Sequence, residues 1–190
     1  MIDKGDFQRL RKAFVECDLQ REEVIKQSRE IVRLSKQVIY ATHRNDLQDA
    51  AKLMEAMKRQ VKKLQELTKH DVADFGSFKV AMQEYAEAAC FYAFVTKGAI
   101  PKSTELNLDA EYYLLGLCDL SGELVRKAVN AAIQEKYDEA RKIKDFLSEL
   151  YGELLQFDFR NGELRKKFDG VKYDLKKVED LVFQLKSHGH

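Results

Sequence analysis

The sequence predicts an all-α protein, an antiparallel bundle of about six to seven helices in a single domain over residues 1–190. The 190 residues include one proline, Pro101, and only nine glycines, so little interrupts helices. Helix-favouring residues such as Ala, Leu, Glu and Lys are abundant. A chain of this length can bury a core without a disulfide or a metal ion.

Helix breakers and caps divide the chain into six helical stretches. We predict them over residues 3–44, 46–69, 74–98, 108–134, 136–157 and 160–187. The first stretch fits either one long helix or two helices with a break near residues 17–21. Gly98 and Pro101 separate the third stretch from the fourth, where Asp109 is the expected N-cap.

The last stretch carries a heptad pattern of apolar residues, which predicts packing against another helix. The pattern comprises Leu164, Phe168, Val171, Leu175, Val178, Val182 and Leu185. It leaves open whether the partner helix belongs to the same chain or to another subunit.

Net charge does not identify a ligand for this chain, whereas its cysteine content indicates a cellular compartment. The 33 basic and 32 acidic residues nearly cancel, so net charge argues neither for nor against nucleic acid. Cys17, Cys90 and Cys118 form no CxxC pair, which favours a reducing cytoplasm. The chain begins without a signal-peptide pattern, and its longest apolar run, residues 88–95, is far shorter than the ~20 residues that span a bilayer. We expect a cytoplasmic protein without a membrane partner.

Two pairs of acids fall on neighbouring predicted helices. Glu84 and Glu87 are three residues apart and Asp119 and Glu123 are four apart, so each pair shares one helix face. Asp119 lies within a run of leucines, where an unsatisfied acid is costly. If the two helices pack together, the four carboxylates converge, and a divalent cation would offset their repulsion.

Oxygen-only ligands suit Mg²⁺ or Mn²⁺, and phosphodiester hydrolysis is the chemistry these ions commonly support. The spacing equally fits ordinary surface acids paired with Arg126 or Lys127.

Other enzyme classes fit less well. A ferritin-like di-iron site needs Glu-x-x-His elements, and none of His43, His70, His188 and His190 follows a glutamate by three residues. All-α, Mg²⁺-dependent nucleotide pyrophosphatases of the MazG type use an ExxD element where this chain has Asp119-x-x-x-Glu123, and they remain an alternative. Phosphate-binding loops and nucleophile elbows are absent from the sequence.

A basic stripe is predicted on the first helix, where cations recur every three or four residues. It consists of Lys26, Arg29, Arg33 and Lys36 and continues toward Tyr40, His43 and Arg44. A second basic cluster spans residues 58–63. Such surfaces bind phosphate backbones, although a lysine-rich helix face is often only a solvated surface.

Several segments resemble the translin/Trax family. They are QEYAEAACFYAF at residues 83–94, YYLLGLCDLSGELVR at 112–126 with Asn130 after it, LRKKFDGVKYDLKKVE at 164–179, and the earlier SREIVR at 28–33 with THR at 42–44. The resemblance covers about residues 20–187, and the segment 164–179 is most similar to the end of translin itself.

The resemblance implies an activity. In that family, Trax-like subunits carry an endoribonuclease centre built from the acids of these elements, whereas translin subunits lack the acids and bind nucleic acid. This chain keeps the acids at Glu84, Glu87, Asp119 and Glu123, with Ser121 in place of a threonine. The four are therefore the expected metal ligands and catalytic residues, holding Mg²⁺ or Mn²⁺.

The resemblance also implies partners. The family forms hollow octameric shells with basic inner surfaces, so we expect a homo-oligomer, an octamer, that cleaves single-stranded or partly unpaired RNA. Single-stranded DNA is a further candidate ligand. The stripe from Lys26 to Lys36 is the expected lining, with Arg44 and Arg126 as additional contacts. The chain lacks the insertion of longer Trax proteins and ends like translin, a mixture that suggests a self-sufficient homo-oligomer rather than one half of a heteromer. A non-catalytic RNA-binding scaffold, in which the acids only order the helix packing, is the main alternative.

Overall fold

A computed structural model describes residues 2–68 and 76–187, and within these ranges it contains seven α-helices and no strand. The helices are α1 (Lys4–His43), α2 (Leu47–Leu67), α3 (Gly76–Lys97), α4 (Ser103–Leu106), α5 (Ala110–Ile133), α6 (Tyr137–Leu154) and α7 (Glu163–Ser187). The all-α class is confirmed, and six of the helices match the predicted stretches. The predicted helical residues 69, 74 and 75, together with His70, His188 and His190, lie outside the described residues.

The long first stretch is one uninterrupted helix. Residues 6–43 contain neither glycine nor proline, so nothing in the sequence breaks the helix near residues 17–21. Asp3 caps its start, with the carboxylate accepting from the backbone N–H groups of Gly5 and Asp6. At the other end, Asn45 has a φ of 61° and turns the chain into α2.

The short helix α4 lies in the connector between α3 and α5, where we predicted only a loop. Asn107 ends it in the left-handed region with a φ of 51°. Asp109 is the N-cap residue of α5, as predicted, but its side chain makes no capping hydrogen bond. A single helical turn is too short to leave a periodic pattern in the sequence.

The helices pack in two groups, α1 to α3 and α5 to α7, which are joined by the contact between α3 and α5. Helix α1 packs against α2 and α3, α3 packs against α5, and α5 and α6 both pack against α7. Helix α7 buries Phe168, Val171, Leu175, Val178 and Val182. The heptad pattern therefore finds its partner helices within the chain, which settles the question that the sequence left open.

Helices α3 and α5 approach most closely at Gly116. A Cβ atom there would lie 2.8 Å from the carbonyl oxygen of Gln83 and 2.9 Å from the backbone nitrogen of Glu87, besides meeting the side chain of Ala86. Only glycine permits this contact. It places Glu84 and Glu87 of α3 against the turn of α5 that precedes Asp119. Among the described helices, none is long and apolar enough to cross a membrane.

Candidate metal centre

Glu87 lies close enough to the other three predicted acids to respond to their charges. Burial, and after it the negative charges of Asp119, Glu84 and Glu123, together raise the pKa of its carboxyl to about 8. The nearby ammonium group of Lys167 opposes this shift. The structure thus brings the two pairs on α3 and α5 into one electrostatic cluster, as the spacing predicted.

Asp119 is held between two partners from other helices. Its Oδ1 lies 2.6 Å from Nζ of Lys167 on α7, and its Oδ2 accepts from Nε2 of Gln83 on α3. Both side chains of the ion pair are about one quarter exposed, at 27% and 24%. Sequence analysis missed Lys167, although it directly precedes Phe168 in the heptad pattern and so flanks the surface that faces α5.

Glu123 is paired with His43 of α1. Oε2 of Glu123 lies 2.5 Å from Nε2 of His43 and 3.8 Å from Nη1 of Arg126. The hydrogen bond with His43 lowers the pKa of the Glu123 carboxyl, and the charges nearby act in the same direction against the cost of burial. The His43 side chain is only 4% exposed, and its ring lies 4.6 Å from that of Phe91. Its Nδ1 atom is buried without a hydrogen-bond partner.

Glu84 completes the cluster from the α3 side. Its Oε2 accepts a hydrogen bond of 2.8 Å from Oγ of Ser35, a buried residue of α1. Four helices therefore converge on the acids: α3 and α5 supply the carboxylates, while α1 and α7 supply the groups that hold them. Ser35, His43 and Lys167 lie far from the acids in sequence, which is why the local spacing of the acids did not indicate them.

The donor chemistry of the cluster suits a hard divalent cation. All four ligand candidates are carboxylates, and the charges of the other three add to burial in raising the pKa of Glu87. Within residues 2–68 and 76–187, no group of three or more His, Cys, Asp or Glu side chains has its atoms gathered as a preformed metal-ligand set. The carboxylates instead hydrogen-bond to Ser35, His43 and Lys167.

The predicted RNA-binding residues are all exposed. They are Lys26, Arg29, Arg33, Lys36, Arg44 and Arg126. Arg33 is engaged by Glu30, whose two oxygens lie 2.6 and 2.8 Å from its guanidinium nitrogens. Arg44 lies over the ring of Tyr40, 4.7 Å from its centre.

The basic stripe runs beside the carboxylates. Lys36 and His43 are seven residues apart on α1, so they leave the helix on nearly the same side, and His43 contacts Glu123. Arg126 approaches the same carboxylate from α5. In the second basic cluster, Lys58 pairs with Glu55 and Lys63 with Glu23, which reduces the charge available to a ligand.

The sequence model of the translin family matches residues 19–189, most of the chain. The chain belongs to the translin family. It is 33% identical over 171 residues to an uncharacterized protein of Methanocaldococcus jannaschii, covering 87% of this chain and 76% of that protein. It is 26% identical over 212 aligned positions to translin-associated protein X of Rattus norvegicus, covering 88% and 73%.

Vertebrate translins match over a shorter segment. Translin of Gallus gallus is 40% identical over 83 residues, which is 44% of this chain and 36% of the relative. The matched segment thus spans about a third of the chicken protein. The similarity to both branches of the translin family agrees with the mixed resemblance found in the sequence.

Solved structures share the fold. The crystal structure of apo-NeC3PO superposes with a TM-score of 0.89 at 29% identity, covering 97% of this chain and 98% of that one. AfC3PO in complex with duplex RNA gives the same TM-score at 23% identity, with the same coverage. The predicted helical architecture of the translin family is confirmed.

Proposed function

We propose that this protein is a metal-dependent endoribonuclease subunit in which Glu84, Glu87, Asp119 and Glu123 hold Mg²⁺ or Mn²⁺ beside an RNA-binding face. The observation that carries this proposal is the position of Glu87, a partly buried side chain whose carboxyl responds to the charges of the other three acids. Acids gathered only for stability would be paired one to one with cations at the surface. Here four acids form one cluster with a lysine, a histidine and an arginine.

A bound Mg²⁺ or Mn²⁺ would neutralise the carboxylates, lower the pKa of a bound water and stabilise charge on a phosphoryl oxygen. The chain's own residues prepare the site for this chemistry. Ser35 and His43 fix Glu84 and Glu123 through hydrogen bonds of 2.8 and 2.5 Å. In this proposal Glu84 or Asp119 is the base that accepts the proton from the water that attacks the phosphodiester.

The basic stripe would hold the substrate alongside this centre. Lys26, Arg29 and Lys36 are exposed cations on one face of α1, and phosphate groups bind such faces by releasing counterions. Arg126, 3.8 Å from Glu123, is the cation best placed to contact the phosphate next to the scissile bond. We propose single-stranded or partly unpaired RNA as the substrate, with single-stranded DNA as a further ligand.

Assembly into a hollow homo-oligomer of eight copies is part of the proposal. The structural relatives are C3PO proteins, one of them solved with duplex RNA. In such an assembly the stripes of several copies would line one chamber, so that a strand bound by one copy reaches the carboxylates of another.

The deciding experiment measures cleavage of end-labelled single-stranded RNA by the purified protein with Mn²⁺, Mg²⁺ or EDTA. Wild type is compared with Glu84→Gln and Asp119→Asn, and with Glu149→Gln as a control at an exposed acid of α6. We expect cleavage that needs the metal and falls at least a hundredfold in both site variants while the control retains it.

Two other results would support competing functions. RNA binding without cleavage under any metal would identify a non-catalytic scaffold. Release of pyrophosphate from nucleoside triphosphates, with RNA left intact, would identify the nucleotide pyrophosphatase alternative.

A further inference from the structure

The first half of α1 extends beyond the helical bundle. Between residues 2 and 22 every side chain except Asp6 is exposed, and the buried residues of α1 begin at Val24. Most helical stability in proteins comes from packing of an apolar face, and this part of α1 has no such packing within the single chain. We refer to residues 4–22 as the arm.

The arm carries an apolar seam at heptad spacing. Phe7, Leu10 and Phe14 are 47%, 52% and 75% exposed, and Cys17 follows at the next heptad position. The same positions continue down the helix through the exposed Arg21 to Val24, Ser28, Ile31, Ser35 and Val38, and these last five are buried in the bundle. The seam is therefore buried against the bundle from residue 24 onward and exposed to solvent in the arm.

We propose that the arm forms an antiparallel coiled coil with the arm of a second copy of this chain. The proposal extends the oligomeric part of the proposed function and does not depend on the chemistry of the carboxylates. A two-fold contact of this kind is self-complementary, because each copy offers the same seam to the other.

The position of α3 in the bundle determines the direction in which the arm of the second copy runs. Helix α3 occupies the seam side of α1 from residue 24 onward, where Ser35 contacts Glu84. If the second copy's arm ran parallel to the first along the seam, its α1 helix would continue past residue 24 into the space that α3 of the first copy fills. An antiparallel helix instead ends near residue 22, and its own bundle lies beyond the N-terminus of the first copy.

An antiparallel register pairs Phe7 with Cys17 of the second copy, and Leu10 with Phe14 of the second copy, by the usual alternation of layers. The flanking charges favour it, because Lys4 then lies beside Asp18 of the second copy at each end. Arg11 meets the same residue of the second copy at the two-fold axis, where like charges on long, exposed side chains cost little.

A thiol cross-link tests this contact in the full-length chain. Cys17 is exposed whereas Cys90 and Cys118 are buried, so Cys17 is the only native thiol available to an oxidant. Phe7→Cys should give a disulfide-linked dimer on mild oxidation, and adding Cys17→Ser should abolish it. Val15→Cys, on the opposite face of the arm, should give no dimer.

Sedimentation velocity tests whether the seam contributes to assembly. Leu10→Glu combined with Phe14→Glu should yield a smaller assembly than wild type, while the bundle keeps its cooperative thermal unfolding because both residues lie outside its core. Val15→Glu is the matched control and should assemble like wild type.

Several outcomes would overturn the proposal. A disulfide between Cys17 of both copies in wild type would indicate parallel arms. The absence of a link between positions 7 and 17 in Phe7→Cys, or an assembly of wild-type size in the double variant, would rule out the antiparallel contact. Loss of assembly in Val15→Glu alone would place the contact on the other face. None of these results bears on cleavage by the carboxylates, which the Glu84→Gln variant tests separately.

Discussion

Lys167 Nζ lies 2.6 Å from Oδ1 of Asp119 and joins α7 to the acids of α5. A positive charge therefore already lies among four carboxylates. The pKa of Glu87 is raised by burial and by the other acids, and the charge of Lys167 opposes this rise. This lysine and a divalent cation would seek the same carboxylate oxygen. The contact makes Lys167 a regulator of metal affinity under the proposed function.

Replacing Lys167 by methionine should tighten Mn²⁺ binding about fivefold, because the metal no longer competes with an ammonium group. This factor corresponds to about 1 kcal/mol, the contribution of a partly exposed ion pair. Isothermal titration calorimetry measures the dissociation constant. Lys166→Met is the matched control, since it removes the same charge from an exposed position of α7. Weaker Mn²⁺ binding in Lys167→Met would mean that the lysine orients Asp119 for the metal.

Glu87 should make the metal-free protein less stable as pH rises from about 5 to about 8. Its pKa is raised in the folded state, so over this range the folded chain keeps a proton that the unfolded chain has lost. The stabilising contribution is complete below the ordinary pKa of a glutamate and disappears as pH passes the raised value. Glu123, whose pKa is lowered, acts only at more acidic pH.

Glu87→Gln should flatten this pH dependence. At pH 8 its free energy of unfolding should exceed that of wild type by on the order of 2 kcal/mol, after allowance for the partial exposure of Glu87. Thermal unfolding in EDTA between pH 5 and pH 9 measures the effect. The exposed acid Glu149 provides the control through Glu149→Gln. An unchanged slope in Glu87→Gln would show that Glu87 is ionised in the folded protein throughout this range.

Much of this arrangement is predictable from local sequence. The spacing of Glu84 and Glu87, and of Asp119 and Glu123, places each pair on one helix face, and the helices they lie on follow from the breakers between them. The bounds of the long helices follow from the same signals. Gly116, by contrast, looks in sequence like a weak point of a helix.

The partners of the acids could not be predicted in this way. Lys167 and His43 lie 48 and 80 residues from the acids they contact, and no periodic pattern encodes such pairs. Arg33 shows what helical spacing leaves out, because the spacing predicts a basic stripe while Glu30, three residues earlier, pairs with the guanidinium group. Long-range contacts depend on how helices cross, which a single sequence does not specify.

Gly116→Ala should destabilise the protein by about 2 to 3 kcal/mol, because an added Cβ would overlap the backbone of α3. It would lie 2.8 Å from the carbonyl oxygen of Gln83, and neither helix backbone can move without loosening the core. Metal binding should weaken as well, since Glu87 and Asp119 depend on this close approach.

Urea unfolding measures the change in free energy. Gly152→Ala in α6 is the matched control, as its Cβ would meet nothing within 4 Å, and it should stabilise the protein by up to about 1 kcal/mol through helix propensity. A Gly116→Ala variant as stable as wild type would show that α3 and α5 separate without cost.

The basic stripe should contribute unequally to RNA affinity. Lys36→Ala and Arg29→Ala should each weaken binding of single-stranded RNA and reduce the slope of log affinity against log salt by about 0.7, the value expected for a single phosphate neutralised by the protein. Arg33→Ala should change the slope by less than half as much, because Glu30 already neutralises its guanidinium group at 2.6 Å.

Fluorescence anisotropy in EDTA, over a series of salt concentrations, separates these variants without cleavage of the RNA. Lys142→Ala removes one exposed charge from α6, away from the stripe, and should leave both affinity and slope unchanged. Equal effects at Arg29, Arg33 and Lys36 would mean that the pair with Glu30 opens when RNA binds. Equal effects at Lys142 as well would mean that the whole surface attracts RNA without a defined path toward Glu123 and the other acids.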